Sequence, residues 1–168
     1  MKNQTACFTG HRDMSMPLGE VKRRLNEVID YLVSKGVYYF GNGGALGFDT
    51  VSCMAVIEAK RKNPKVKLIL VLPCKDQDKK WKPEDQATYS YLKTQADKIV
   101  YTSEDYHPGC MHKRNRHLVD NSKYCIAFCE RQSGGTAYTV DYAQQKSLVL
   151  YNLAQKDFLV PVEYDNHP

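Results

Sequence analysis

At 168 residues the chain is long enough for one domain with a full hydrophobic core and too short for two of ordinary size. Hydrophobic residues make up 42% and charged residues 26%, which excludes a disordered or fibrous chain, and no run approaches the roughly 18 to 20 apolar residues of a membrane span. The net charge of +5 suits anionic ligands and weak nucleic-acid affinity and singles out neither.

The first ten residues, MKNQTACFTG, carry one lysine and no long apolar run, so no secretory leader is expected and the reading is a cytoplasmic protein. The six cysteines are scattered, with no C-x-x-C pair, and most lie in apolar runs where free thiols act as small hydrophobes. One domain over residues 1–168 is expected.

Short apolar runs alternate with helical patterns along the chain. Thr5 to Thr9 reads as a first strand, and Ser15 as the cap of a helix with Pro17 in its first turn. Val21, Leu25, Val28, Ile29 and Leu32 give that helix one apolar stripe, which Gly36 ends. Val37 to Phe40 is strand two, followed by a glycine-rich turn and a helix from about Asp49 to Lys62. Lys67 to Leu72 is an apolar strand of the kind buried on both faces, closed by Pro73. The lysines at 75–82 read mostly as solvated surface, leading to a helix from Pro83 to about Ala96. Lys98 to Tyr101 is a fourth strand; an irregular stretch and a short helix, His112 to Asn121, follow. Tyr124 to Cys129, a helix to about Lys146, and Leu148 to Asn152 complete the pattern, with Phe158 to Tyr164 as a last edge strand or a tail. This alternation predicts a three-layer, Rossmann-like α/β fold: a mostly parallel sheet of six to seven strands with helices on both faces. Right-handed crossovers would place all the strand C-termini, and the ligand site, on one edge.

Four predicted strand ends share a composition of glycine, hydroxyl and basic residues. Thr9-Gly10-His11-Arg12 combines a turn with a forked cation suited to phosphate or carboxylate, although a plain surface turn with a solvated arginine fits as well. A neutral hydrogen-bonding role for His11 is favoured over acid–base catalysis. In Gly41-Asn42-Gly43-Gly44-Ala45-Leu46-Gly47-Phe48-Asp49 the backbone amides can form an anion-binding concavity. It is neither a dinucleotide fingerprint nor a P-loop, since no Lys-Ser or Lys-Thr follows, and Asp49 is either a helix cap or a ribose-binding or catalytic acid.

Met111 to His117 places basic residues at a helix start, where the dipole disfavours them and a bound anion would compensate; Arg114 and Asn115 are the pocket candidates. The spacing of His107, Cys110, His112 and His117 fits no standard zinc site, so no metal is expected. Ser133-Gly134-Gly135-Thr136 is a second amide-rich helix start, able to hold phosphate through backbone donors and the Thr136 hydroxyl, or a simply capped helix.

Thr9-Gly-His-Arg12, Gly43-Gly-Ala-Leu-Gly-Phe-Asp49, Arg114-Asn115 with Leu118-Val-Asp120, and Gly134-Gly-Thr136 stand in the order that resembles the YpsA-like proteins of the SLOG superfamily, from about residue 5 to residue 152. The resemblance implies a Rossmann-like domain that binds, senses or processes nucleotides and derivatives such as ADP-ribose or NAD-like molecules; relatives imply a homodimer. Gly43 to Asp49 is also similar to the Gly-Gly-Ala-Arg-Gly-Ile-Asp stretch of DprA, with Leu46 in place of the arginine. The LOG enzymes of the superfamily carry P-G-G-x-G-T-x-x-E, whose glutamate assists N-glycosidic cleavage. Here the segment reads S-G-G-T-A-Y-T-V-D, with no glutamate in register.

The expected function is therefore binding or sensing of a phosphate- and ribose-containing small molecule, with no cofactor required beyond that nucleotide. The alternative is an N-glycosidic nucleotide hydrolase of the phosphoribohydrolase type, with Asp49 or Glu130 stabilising charge on the ribose. A third reading is DprA-like binding of single-stranded DNA, which needs a basic track with stacking aromatics.

Overall fold

The computed structural model describes residues 1–160. A short 3-10 turn, Lys2–Gln4, precedes five β-α units and a final strand. In chain order these are β1 (Thr5–Gly10), α1 (Leu18–Ser34), β2 (Tyr39–Asn42), α2 (Phe48–Lys62), β3 (Lys67–Leu72), α3 (Pro83–Gln95), β4 (Lys98–Tyr101), α4 (Cys110–Asp120), β5 (Tyr124–Phe128), α5 (Gly135–Gln145) and β6 (Val149–Asn152). The six strands form one parallel sheet in the order β4-β3-β2-β1-β5-β6, the Rossmann-like α/β arrangement. The chain moves outward from β1 to β4, then crosses back to β5. The topological switch point lies between β1 and β5, where the loops leaving the two strands diverge.

Alternation along the strands builds two cores. Ala6 and Phe8 of β1, Phe40 of β2, Leu68, Leu70 and Leu72 of β3, and Ile126 and Phe128 of β5 pack beneath α1, α2 and α3. Cys7, Val71, Cys125 and Ala127 face the other way, against Leu118 and Val119 of α4 and Val140 and Ala143 of α5. The α1 stripe read from the sequence is buried throughout, each side chain contributing about 1.5 to 3 kcal/mol. Gly41 keeps β2 level beneath α4: a Cβ there would press on Leu118 at 3.0 Å.

Three expectations change. Ser15 does not cap α1: Pro17 precedes the helix, no side chain caps it, and Ser15 instead donates to the Glu130 carboxylate. Strand two is Tyr39–Asn42 rather than residues 37–40, because Gly41 and Asn42 pair in register with Ile69 and Leu70. The last proposed strand is irregular over Phe158 to Val160, and its remainder lies outside the described residues. Among the described residues no helix is long and apolar enough to cross a membrane.

Candidate functional site

The loops at the C-terminal edge of the sheet bring together the residues singled out from the sequence, with different degrees of freedom. Thr9 is buried at the end of β1. Gly10 lies against the Phe48 ring with no room for a Cβ. His11 is buried; its Nε2 accepts the Glu130 backbone N–H at 2.8 Å, which fixes a neutral imidazole with its proton on Nδ1. Burial lowers its pKa, the nearby Arg131 cation lowers it further, and Glu130 opposes them. Arg12 is exposed, while its backbone passes so close to Gly47 that only a glycine, at φ +81°, fits there.

The loop after β2 is closed on itself. The buried Asn42 side chain donates to the Asp49 carbonyl at 3.1 Å and to Ser52 Oγ at 2.9 Å, and accepts the Gly44 N–H at 2.9 Å. Asp49 Oδ2 accepts the Ala45 N–H at 3.1 Å, and the Phe48 N–H donates to the His11 carbonyl at 3.1 Å. The amides of Gly44, Ala45 and Phe48 are therefore already spent within the protein. Burial raises the Asp49 carboxyl to about 6, although the Arg114 guanidinium and the Ala45 N–H pull it down.

Arg114 sits one turn into α4 and points inward. Its guanidinium donates to the Gly43 carbonyl at 2.5 Å and more weakly to the Val71 carbonyl at 3.5 Å; its Nε donates to Asn115 Oδ1 at 2.8 Å. Gly43 gives the guanidinium room, since a Cβ there would overlap it. Carbonyl oxygens at the ends of β2 and β3 thus balance this cation. Arg114 is buried and holds the glycine loop from below, while the half-buried Asn115 braces its guanidinium.

The loop after β5 is open. Ser133, Gly134 and Gly135 are exposed, and Thr136 is buried as α5 begins. Gly134, at φ +101°, turns the chain into the helix with no side-chain cap. The amides of Gly135, Thr136 and Ala137 meet no acceptor among the described residues, as expected for an uncapped helix start. They carry the positive end of the α5 dipole. Glu130, offered from the sequence as a catalytic acid, is turned onto Ser15, taking both the hydroxyl and, at 3.4 Å, the backbone N–H.

Beside these loops lies a cleft of about 520 Å³ that the sequence did not single out. Arg12 comes from the loop after β1; Lys79, Lys80 and Trp81 come from the loop after β3. Tyr106 and Met111 close the β4 side, and Asp76 is the one carboxylate in the lining. Gln77 also lines it and reaches Gly43: its Nε2 donates to the Gly43 carbonyl at 3.3 Å and to Tyr89 Oη at 3.2 Å. Trp81 makes a T-shaped contact with Tyr89, ring centroids 5.1 Å apart. The signal available in the sequence was the one tryptophan of the chain, set in an otherwise charged loop just past a strand. Among the described residues no group of three or more His, Cys, Asp or Glu is placed to hold a metal.

Residues 7–158 match the model of the YspA SLOG family. The SPbeta prophage-derived protein YoqJ of Bacillus subtilis is 32% identical over 142 residues, covering 77% of this chain and 83% of that protein. A UPF0398 protein of Bacillus cereus is 25% identical over 132 residues, covering 77% of this chain and 72% of its own. Two solved DprA structures share the fold. The one from Helicobacter pylori, described for its single-stranded DNA binding mode, superposes with a TM-score of 0.60 at 20% identity over 87% of this chain. The one from Streptococcus pneumoniae superposes with a TM-score of 0.63 at 16% identity over 90%. This chain spans only 63% and 50% of those two DprA chains.

Proposed function

The chain belongs to the YspA SLOG family, and from that premise we propose that it binds a nucleotide or nucleotide derivative by its phosphate at the start of α5. One observation carries the proposal: the Gly135, Thr136 and Ala137 amides are unspent among the described residues, and they follow one of the two strands that flank the switch point. In open parallel sheets ligands settle at that crevice, and a helix start supplies both N–H donors and positive potential for an anion. Arg12, exposed on the loop leaving the neighbouring strand, supplies a cation on the same edge. Binding without turnover is favoured because both candidate acids are committed: Asp49 is buried under the glycine loop and Glu130 is held by Ser15.

Titration calorimetry with AMP, ADP-ribose and NAD tests this reading, and at least one should give a saturable isotherm. Silence for all three at millimolar concentration would remove the proposal. Chromatography after long incubation should return the ligands intact; released base would instead favour the hydrolase reading.

A further inference from the structure

The cleft beside the phosphate loops has a composition that phosphate binding alone does not need. Three cations, Arg12, Lys79 and Lys80, share it with two aromatic rings, Trp81 and Tyr106. Its volume of about 520 Å³ falls within the range of small-molecule pockets. Trp81 is held in place by its contact with Tyr89, whereas Tyr106 is 66% exposed. A fixed indole is a ready platform for a flat ring, because its position is set before the ligand arrives.

The cleft is also tied to the glycine loop. Gln77 stands in its lining and donates to the same Gly43 carbonyl that Arg114 holds from beneath. The α5 start follows β5, and most of the cleft lining follows β3, three strand spacings away. At about 4.8 Å per strand that is roughly 14 Å across the edge. Arg12, after β1, lies between the two.

We propose that this cleft is a base-binding subsite: an aromatic base stacks on Trp81 while Arg12, Lys79 and Lys80 hold a second anionic group. It rests on the phosphate site proposed above and extends it to a ligand with a base at one end and more than one phosphate along its length. A small molecule is favoured over a nucleic-acid strand because the stacking surface is local. The other exposed tyrosines, Tyr91, Tyr101 and Tyr138, lie on α3, β4 and α5 and do not line the cleft. A strand would need successive aromatic platforms along one track.

Trp81 is the one tryptophan in the sequence; it lines this cleft and a smaller pocket with Leu46 and Thr88. Of the two only this cleft contains Lys79 and Lys80, so the emission read together with the lysine variant below reports on the cleft. ADP should quench or shift that emission saturably, whereas ribose 5-phosphate, which has no base, should bind by calorimetry and leave the emission unchanged. The K79A/K80A double variant alters exposed side chains and should weaken ADP about tenfold or more while keeping the ribose 5-phosphate affinity within about twofold. W81L should lose the same preference for ADP over ribose 5-phosphate, its fold checked by circular dichroism. If ADP and ribose 5-phosphate bind equally well with no change in emission, the base subsite is wrong and the phosphate site stands. If neither binds, both readings fall. Quenching by an eight-nucleotide oligothymidine at far lower concentration than by ADP would replace the small molecule with a nucleic-acid strand.

Discussion

Between β2 and α2, three glycines are pressed against other atoms. Gly43 abuts the Arg114 guanidinium, Gly44 sits where a Cβ would lie 3.0 Å from Leu72 and 3.2 Å from Tyr89, and Gly47 touches the Arg12 backbone. Between β5 and α5, Gly134 and Gly135 have nothing within 4 Å of where a Cβ would stand. Both loops are glycine-rich turns from a parallel strand into a helix, and the same residue type serves two ends. In the first, glycine permits close packing, and the Gly44, Ala45 and Phe48 amides are consumed by Asn42, Asp49 and His11. In the second, glycine leaves the amides of the helix start bare. A glycine-rich loop is therefore informative about a ligand only once it is known where its N–H groups already point.

The largest effect expected from this contrast is at Gly47. An alanine there would need a positive φ and would collide with the Arg12 backbone, which cannot swing aside as a side-chain tip can. Gly47→Ala should destabilise the protein by about 2 to 5 kcal/mol in urea unfolding. Gly135→Ala, in open space at the first position of α5, should lie within about 1 kcal/mol of the parent and on the stabilising side. Equal losses at the two positions would break the distinction between a packed loop and an open one.

A smaller effect reports on the packed loop through pH. Asp49 has an ordinary pKa of 3.8 and is raised to about 6 in the folded protein, chiefly by burial. Between pH 4 and 6 the folded chain keeps a proton that the unfolded chain releases, so this group's contribution to stability declines as pH rises. The contribution is full below the unfolded value and lost above the folded one, a span of about 3 kcal/mol. The parent-minus-Asp49→Asn difference in unfolding free energy should therefore fall between pH 4 and pH 7. A difference that stays level would mean Asp49 is well solvated and the loop open, and one that rises would mean that the Arg114 guanidinium and the Ala45 N–H outweigh its burial.

Much of the fold was legible because parallel strands and amphipathic helices differ in period, and the α1 stripe and the apolar β3 run show both periods plainly. The β2 boundary was less so. Gly41 and Asn42 are poor strand formers on their own, and what makes them a strand is pairing with Ile69 and Leu70 and the space Gly41 leaves for Leu118. At the site, all four segments lie at the C-terminal edge of the sheet, as the strand–helix alternation predicts, but what each side chain is bonded to was not readable. Arg114 was singled out from a run of basic residues as a cation for an anionic ligand, and only the tertiary placement of Gly43 and Val71 shows that it turns to carbonyl oxygens instead. Lys79, Lys80 and Trp81 were hidden for the opposite reason. A charged loop has the composition of solvated surface, and only the crossover from β3 to β4 folds it over a cleft.

The smallest change in stability is expected where the functional effect should be sharpest. Proline at the first position of a helix keeps the backbone angle that the helix needs and removes only an N–H that has no intrahelical partner. Gly135→Pro should therefore leave α5 and the unfolding midpoint nearly unchanged, since the Gly135 amide has no acceptor among the described residues. It removes one of the three bare donors, so phosphate-bearing ligands should bind about tenfold more weakly, the usual worth of a hydrogen bond to a charged group. The corresponding loss at Gly44, Ala45 or Phe48 cannot be made so cleanly, because removing one of those amides also unties Asn42, Asp49 or His11. A Gly135→Pro variant that binds AMP as tightly as the parent would move the phosphate away from α5. With the Gly44, Ala45 and Phe48 amides already consumed, the cations of the neighbouring cleft would then be the favoured anion site, and the open loop would be no more than a turn.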